Sequence, residues 1–146
     1  MKIVRSLMSF ALLCAVMIAL DACKGGGDPE PETESERVTK LLTTGTWKLN
    51  SLTIDGVAKS SFDGMTITFT NGSYTSTKGE PVWPSSGTWS LSDATAKTIS
   101  RSDQTPVSID AIDANNLTLS LTWTKTTLGP GRASSIAGKH TFVMGK

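Results

Sequence analysis

The sequence predicts an all-β protein, an eight-stranded antiparallel meander barrel preceded by one short helix. Three observations lead there. From residue 46 onward apolar residues alternate with threonine and serine in short runs, the period-2 pattern of half-buried strands. Turn signals such as Asp55-Gly56, Asn71-Gly72 and Ala114-Asn115-Asn116 break these runs about every ten residues. No helical pattern separates one run from the next, so the long crossovers that parallel strands require are missing. One apolar face per strand suits a single sheet rolled on itself, and closing the sheet removes exposed edges. An outer-membrane barrel would need strands of about 9–11 residues with apolar faces outward. These runs are nearer six residues, which argues against it.

The elements follow in order. Lys2 and Arg5 precede an apolar run over residues 7–20, and Leu20-Asp21-Ala22-Cys23 closes it. The run spans roughly 21 Å as a helix, short of the ~20 residues a bilayer core requires. The layout resembles a bacterial lipoprotein signal, a secretory leader over residues 1–22 with a small residue before a cysteine. That resemblance implies lipidation of Cys23, with more than one acyl chain giving stable anchoring. Cys14 falls in the leader, so the folded part carries no thiol, and disulfides, thiolate zinc sites and a cysteine nucleophile are excluded. Residues 23–35 read as a disordered acidic tether, because residues 28–36 hold five acids, two prolines and no base. In Bacteroidetes-type lipoproteins acids near the lipidated cysteine also direct export to the surface, although here Lys24 and three glycines come first.

The folded domain is expected over residues 36–146. Val38, Leu41 and Leu42 fall on one face of a short helix with Ser35 as its N-cap and Gly45 past its end. Residues 46–54 form the first strand. Trp47 and Leu49 are in phase, Leu52 and Ile54 are not, and a bulge is expected near Asn50-Ser51. Further strands are expected over residues 65–69, 73–78, 87–92, 97–102, 106–112, 117–123 and 139–144. Asn71-Gly72 is a strong hairpin signal. Residues 80–85, with Pro81 and Pro84, form a break, and Gly129-Pro130-Gly131 lies in a loop.

Helix, Gly45-Thr46-Trp47-Lys48-Leu49, Asp55-Gly56, Met65-Thr66-Ile67-Thr68-Phe69 and a later Gly87-Thr88-Trp89-Ser90-Leu91 together resemble the lipocalin-like domain of Bacteroidetes-type lipoproteins, a calycin-like β-barrel. The resemblance covers about residues 36–146. It implies that Trp47 packs at the closed barrel end, usually against an arginine of the last strand, where this chain offers Lys139 and Lys146. The likeness of residues 45–49 to 87–91 is either a short repeat or two strands opening with the same steric solution.

Little in the chain points to catalysis, and it is not expected to be an enzyme. His140 is the only histidine and shares a strand face with Phe142; a structural or solvated role is expected, since no second histidine or cysteine could share a metal. No Gly-x-Ser-x-Gly elbow and no phosphate-binding glycine loop occurs. No metal and no cofactor is expected. Beyond residue 22 acids and bases are equal in number, without the basic stripe that nucleic acid requires.

That leaves the barrel interior and the loops. The first reading is a carrier: a lipid-anchored outer-membrane lipoprotein, on the periplasmic face or the cell surface, binding a small apolar ligand such as palmitate. The candidate ligand-binding residues are Trp47, Met65, Phe69, Trp83, Trp89, Leu121, Trp123 and Phe142. Its open end would lie near Trp83 and residues 129–138. The alternative is a filled barrel, an envelope scaffold binding a protein or glycan through its loops. Trp83 fits no strand and is expected at the mouth or in a contact patch, where alanine would leave the melting temperature nearly unchanged.

Overall fold

The structure, a computed structural model, describes residues 30–125 and 136–146. The expected leader, Cys23 and most of the expected tether lie outside them, as does Gly129-Pro130-Gly131. The compact unit is Glu32–Lys146. It opens with α1, Glu34–Thr43. The N-cap is Thr33, not Ser35: its hydroxyl accepts from Glu36 N at 3.2 Å, and the Glu36 carboxylate accepts from Thr33 N at 2.8 Å. This reciprocal Thr-x-x-Glu box satisfies two otherwise unpaired amides, which a cap at Ser35 could not do. The helix therefore takes the last residues of the stretch expected to be tether.

Nine strands follow: β1 (Thr46–Ile54), β2 (Val57–Lys59), β3 (Thr66–Thr70), β4 (Ser73–Thr77), β5 (Ser86–Leu91), β6 (Thr98–Arg101), β7 (Pro106–Ile112), β8 (Asn116–Trp123) and β9 (Gly138–Gly145). Each pairs antiparallel with its neighbours, and β9 returns to β1, so eight of the strands close an up-and-down barrel. The ninth, β2, is a three-residue flap on the end of β1. It escapes a sequence reading because all three of its residues are exposed and none marks a core face. In the β1–β9 ladder Leu49 opposes Met144 and Ser51 opposes Val143, leaving Asn50 as the extra residue of the expected bulge. The bulge brings Leu52 and Ile54 onto the inner face already occupied by Trp47.

Outward positions are mostly threonine and serine, and several bond across strands: Thr46 to Thr68 at 2.8 Å, Thr66 to Thr77 at 2.9 Å, Thr70 to Ser73 at 2.6 Å. Such pairs stabilise a ladder modestly and fix its register. Inward positions hold the core, including Ile67, Phe69, Ile99, Leu117, Leu119, Phe142 and Met144, all essentially inaccessible.

One end of the barrel is sealed by α1, which buries Val38 and Leu42. The seal is bonded as well as packed. Trp47 Nε1 donates to Leu42 O at 3.0 Å, and Lys146 Nζ donates to Leu41 O at 3.3 Å. Both carbonyls belong to the last turn, whose acceptors have no partner within the helix. Lys146 Nζ also lies 4.1 Å from the Trp47 ring centroid, so a lysine fills the place that the resemblance gave to an arginine.

The two Gly-Thr-Trp segments are different steric solutions. Gly45 has φ +87°, a left-handed conformation that ends the helix. Gly87 faces Tyr74 across the β4–β5 ladder, and a Cβ there would lie 2.7 Å from the Tyr74 hydroxyl.

Candidate functional site

The opposite end of the barrel is where a ligand would enter. It carries the β1–β2 turn, residues 60–64 and the β4–β5 connection. Two of these segments send side chains inward. Phe62 comes from the turn in which Met65 N donates to Phe62 O at 2.9 Å. Val82 and Trp83 come from residues 79–85, a segment that includes a cis Glu80–Pro81 bond, and both are 0 % exposed.

Trp83 is therefore not a rim or contact-patch residue. Its backbone N donates to Gly79 O at 2.8 Å, folding the segment into a tight turn. Ser76 Oγ donates to Pro84 O at 2.8 Å, tying the turn to β4. A Cβ on Gly79 would lie 2.7 Å from Trp83 Cβ, so only glycine lets the tryptophan in this closely. Inside, the indole meets Tyr74 and Phe142 edge-on, with centroids 5.8 and 6.0 Å away. The local sequence hides this outcome, because two prolines suggest an exposed break and the partners are distant in sequence.

Arg101 completes the arrangement. Its guanidinium carbon sits 4.6 Å from the Trp83 ring centroid, and Nη1 donates to Val82 O at 3.1 Å. Nε and Nη2 both donate to the Asp103 carboxylate, the Nε bond being 3.1 Å. The Arg101 side chain is fully buried and that of Asp103 one-third exposed. Burial pushes the Asp103 carboxyl up, but the Arg101 hydrogen bond and the Thr105 amide outweigh it and hold the group below the usual carboxylate range. Arg101 was missed as a site residue, although alternation from Ile99 places it on the inner face.

The eight residues expected to bind a ligand are all buried. Trp47 lies at the helix-sealed end of the same core. Phe69, Trp83, Trp89 and Phe142 join one aromatic chain with Phe62, Tyr74 and His140. Its links are His140–Phe142 at 5.9 Å, Phe142–Trp83 at 6.0 Å, Trp83–Tyr74 at 5.8 Å, Tyr74–Phe69 at 6.3 Å and Phe69–Trp89 at 5.4 Å. Trp89 Nε1 donates to Thr70 O and Ser73 O, both at 2.9 Å. Met65, Leu121 and Trp123 pack in the same core. Zero accessibility at Trp47, Met65, Trp83 and Phe142 means that no water-sized space adjoins them. A rim cleft of about 460 Å³ is lined by Ser61, Phe62, Ser76, Lys78, Gly79, Glu80 and neighbours, and by none of the eight.

His140 is inside, not solvated. Nδ1 lies 3.2 Å from Gly138 O, the ring stacks on Phe142, and Nε2 is buried without a partner. Burial lowers its pKa, against smaller upward effects from Gly138 O and Asp55. The folded state thus binds this proton less readily than the unfolded chain. Its contribution is complete above the ordinary value of 6.5 and is lost as pH falls below it toward the folded value. Melting temperature should fall between pH 7 and pH 5 in the wild type and stay flatter in His140→Leu. Like Asp103, Asp93 (bonded by the Thr95 hydroxyl) and Asp113 (bonded by the Asn115 amide) lie below the usual range. Parallel curves for the two proteins would remove His140 as the source.

Among the described residues no cluster of three His, Cys, Asp or Glu could hold a metal, and no helix is long and apolar enough to cross a membrane. A family model described as a lipocalin-like domain matches residues 43–121, more than half of the chain. Searches of curated proteins and of solved structures found no match.

Proposed function

The chain belongs to the lipocalin-like domain family, and from that premise we propose that it is a lipid-anchored envelope protein whose resting barrel is a filled scaffold that binds through its surface. The reading gives Cys23 the lipid, residues 23–31 the role of tether and the outer membrane as the location. It assigns no catalysis, cofactor or nucleic acid. One observation carries it: the aromatic chain through the lumen, with Trp83 and Phe142 wholly inaccessible. An eight-stranded barrel either is filled by side chains or holds one small ligand, and here side chains take the space that the carrier reading reserves for palmitate.

The unit Glu32–Lys146 holds the helix and every described strand, so residues 24–146 without lipid are the form to test. Native mass spectrometry with and without micromolar palmitate should give one unmodified mass. A stoichiometric increment that disappears on denaturation would favour the carrier and overturn the filled barrel.

A further inference from the structure

The rim cleft is bordered by polar side chains carried on a fixed segment. Its volume of about 460 Å³ falls within the ~300–1,000 Å³ of small-molecule sites. Residues 79–85 form one wall, and three bonds hold their backbone: Trp83 N to Gly79 O, Ser76 Oγ to Pro84 O and Arg101 Nη1 to Val82 O. The other Arg101 donors, Nε and Nη2, stay in the ion pair with Asp103, so the arginine belongs to the support and not to the cleft. Val82 and Trp83 anchor the segment from inside, while Glu80 and Ser85 line the cleft. Ser85 N donates to Glu80 Oε1 at 3.3 Å, tying the carboxylate to the turn. Lys78 enters the segment with φ +58°, a left-handed conformation, and a Cβ on Gly64 would lie 3.0 Å from its Nζ. The bare Gly64 backbone thus lets the ammonium lie close to the turn over residues 60–64. Groups held in place beforehand lose little freedom when a ligand arrives.

The lining selects a ligand by charge and by hydrogen bonding. Lys78 and Glu80 cancel, and Ser61, Ser76, Thr77 and Ser85 add hydroxyls. An anion gains at Lys78 and is opposed by Glu80; a cation meets the reverse. An apolar ligand would desolvate both charges and pair with neither. A neutral ring with adjacent hydroxyls satisfies both at once. It accepts from the Lys78 ammonium and donates to the Glu80 carboxylate, and such charge-assisted bonds are the stronger kind. We propose that the rim cleft is a carbohydrate site, which takes a neutral pyranose sugar at the end of a glycan. The inference rests on the reading of a filled scaffold that binds through its surface, and it supplies the ligand class and the residues. It needs no opening of the lumen, because the cleft lies outside the aromatic chain.

The test is a titration of isotope-labelled residues 24–146 with maltose, cellobiose and N,N′-diacetylchitobiose, followed by amide chemical shifts. At least one sugar should bind with a Kd of about 1 mM or tighter. The shifts should fall at Ser61, Lys78, Glu80 and Ser85, and Phe69 and Leu119 in the lumen should stay unmoved. Glu80→Gln, which can still accept from Ser85 N, and Lys78→Met should each weaken binding about 10-fold in a folded protein. Ser61→Ala, in the 60–64 turn, should weaken it about 3-fold. No shift with any of the three sugars overturns the carbohydrate site, whatever palmitate does. Binding that all three variants leave unchanged overturns the cleft as its place. Shifts centred on Phe69 and Leu119 would put the sugar in the lumen and overturn the filled-barrel reading as well.

Discussion

Replacing Trp83 with alanine is expected to lower folding stability by about 3–5 kcal/mol, the range for a buried aromatic truncated to a methyl. The segment that carries it has no other large anchor. Val82 is buried beside it, but the ring contacts with Tyr74 and Phe142 and the stacking of Arg101 all belong to the indole. Truncation also removes the ring stacked under Arg101 and opens a void beside its ion pair with Asp103. Denaturant unfolding by far-UV circular dichroism measures the loss. A change below about 1 kcal/mol would place Trp83 outside the core, the outcome a rim residue would give. Trp83→Phe should recover most of the loss, since the unpartnered Nε1 contributes no bond that phenylalanine would lack.

The barrel was legible because alternation is a local signal with a two-residue memory. Thr66-Ile67-Thr68-Phe69 can bury only one face, and the Asn50 bulge shows as a phase change between Leu49 and Leu52. The helix was legible but its start was placed two residues late, at Ser35, because the acidic run that holds the Thr33–Glu36 capping box reads as tether. Alternation from Ile99 also turns Arg101 inward, a residue the sequence analysis did not single out. What the sequence could not show is which long-range partner a side chain meets. Trp83 between two prolines has no periodicity, and its burial depends on Gly79, Tyr74 and Phe142 meeting from three segments. Whether the lumen is open or filled turns on those meetings, so function was less legible than fold.

Trp47 poses the opposite problem: its position was read from the sequence, while its bonds were not. Trp47→Ala should also lower stability by about 3–5 kcal/mol, from the cavity left by a fully buried ring. Its effect should be distinguishable from that of Trp83→Ala by where it falls. Trp47 Nε1 and Lys146 Nζ are the barrel's bonds to the last turn of α1, and the ring supports the lysine. A ten-residue helix is marginal in isolation, so losing this seat should release it. Hydrogen exchange of the α1 amides should rise steeply in Trp47→Ala and remain near wild type in Trp83→Ala. Lys146→Met, which keeps the apolar stem and removes the charge, should give a smaller effect of about 0.5–2 kcal/mol through the lost cation–π contact and the lost bond to the helix end. If α1 stays protected in Trp47→Ala, then Val38 and Leu42 alone hold the helix, and the closed end is sealed by packing without help from either hydrogen bond.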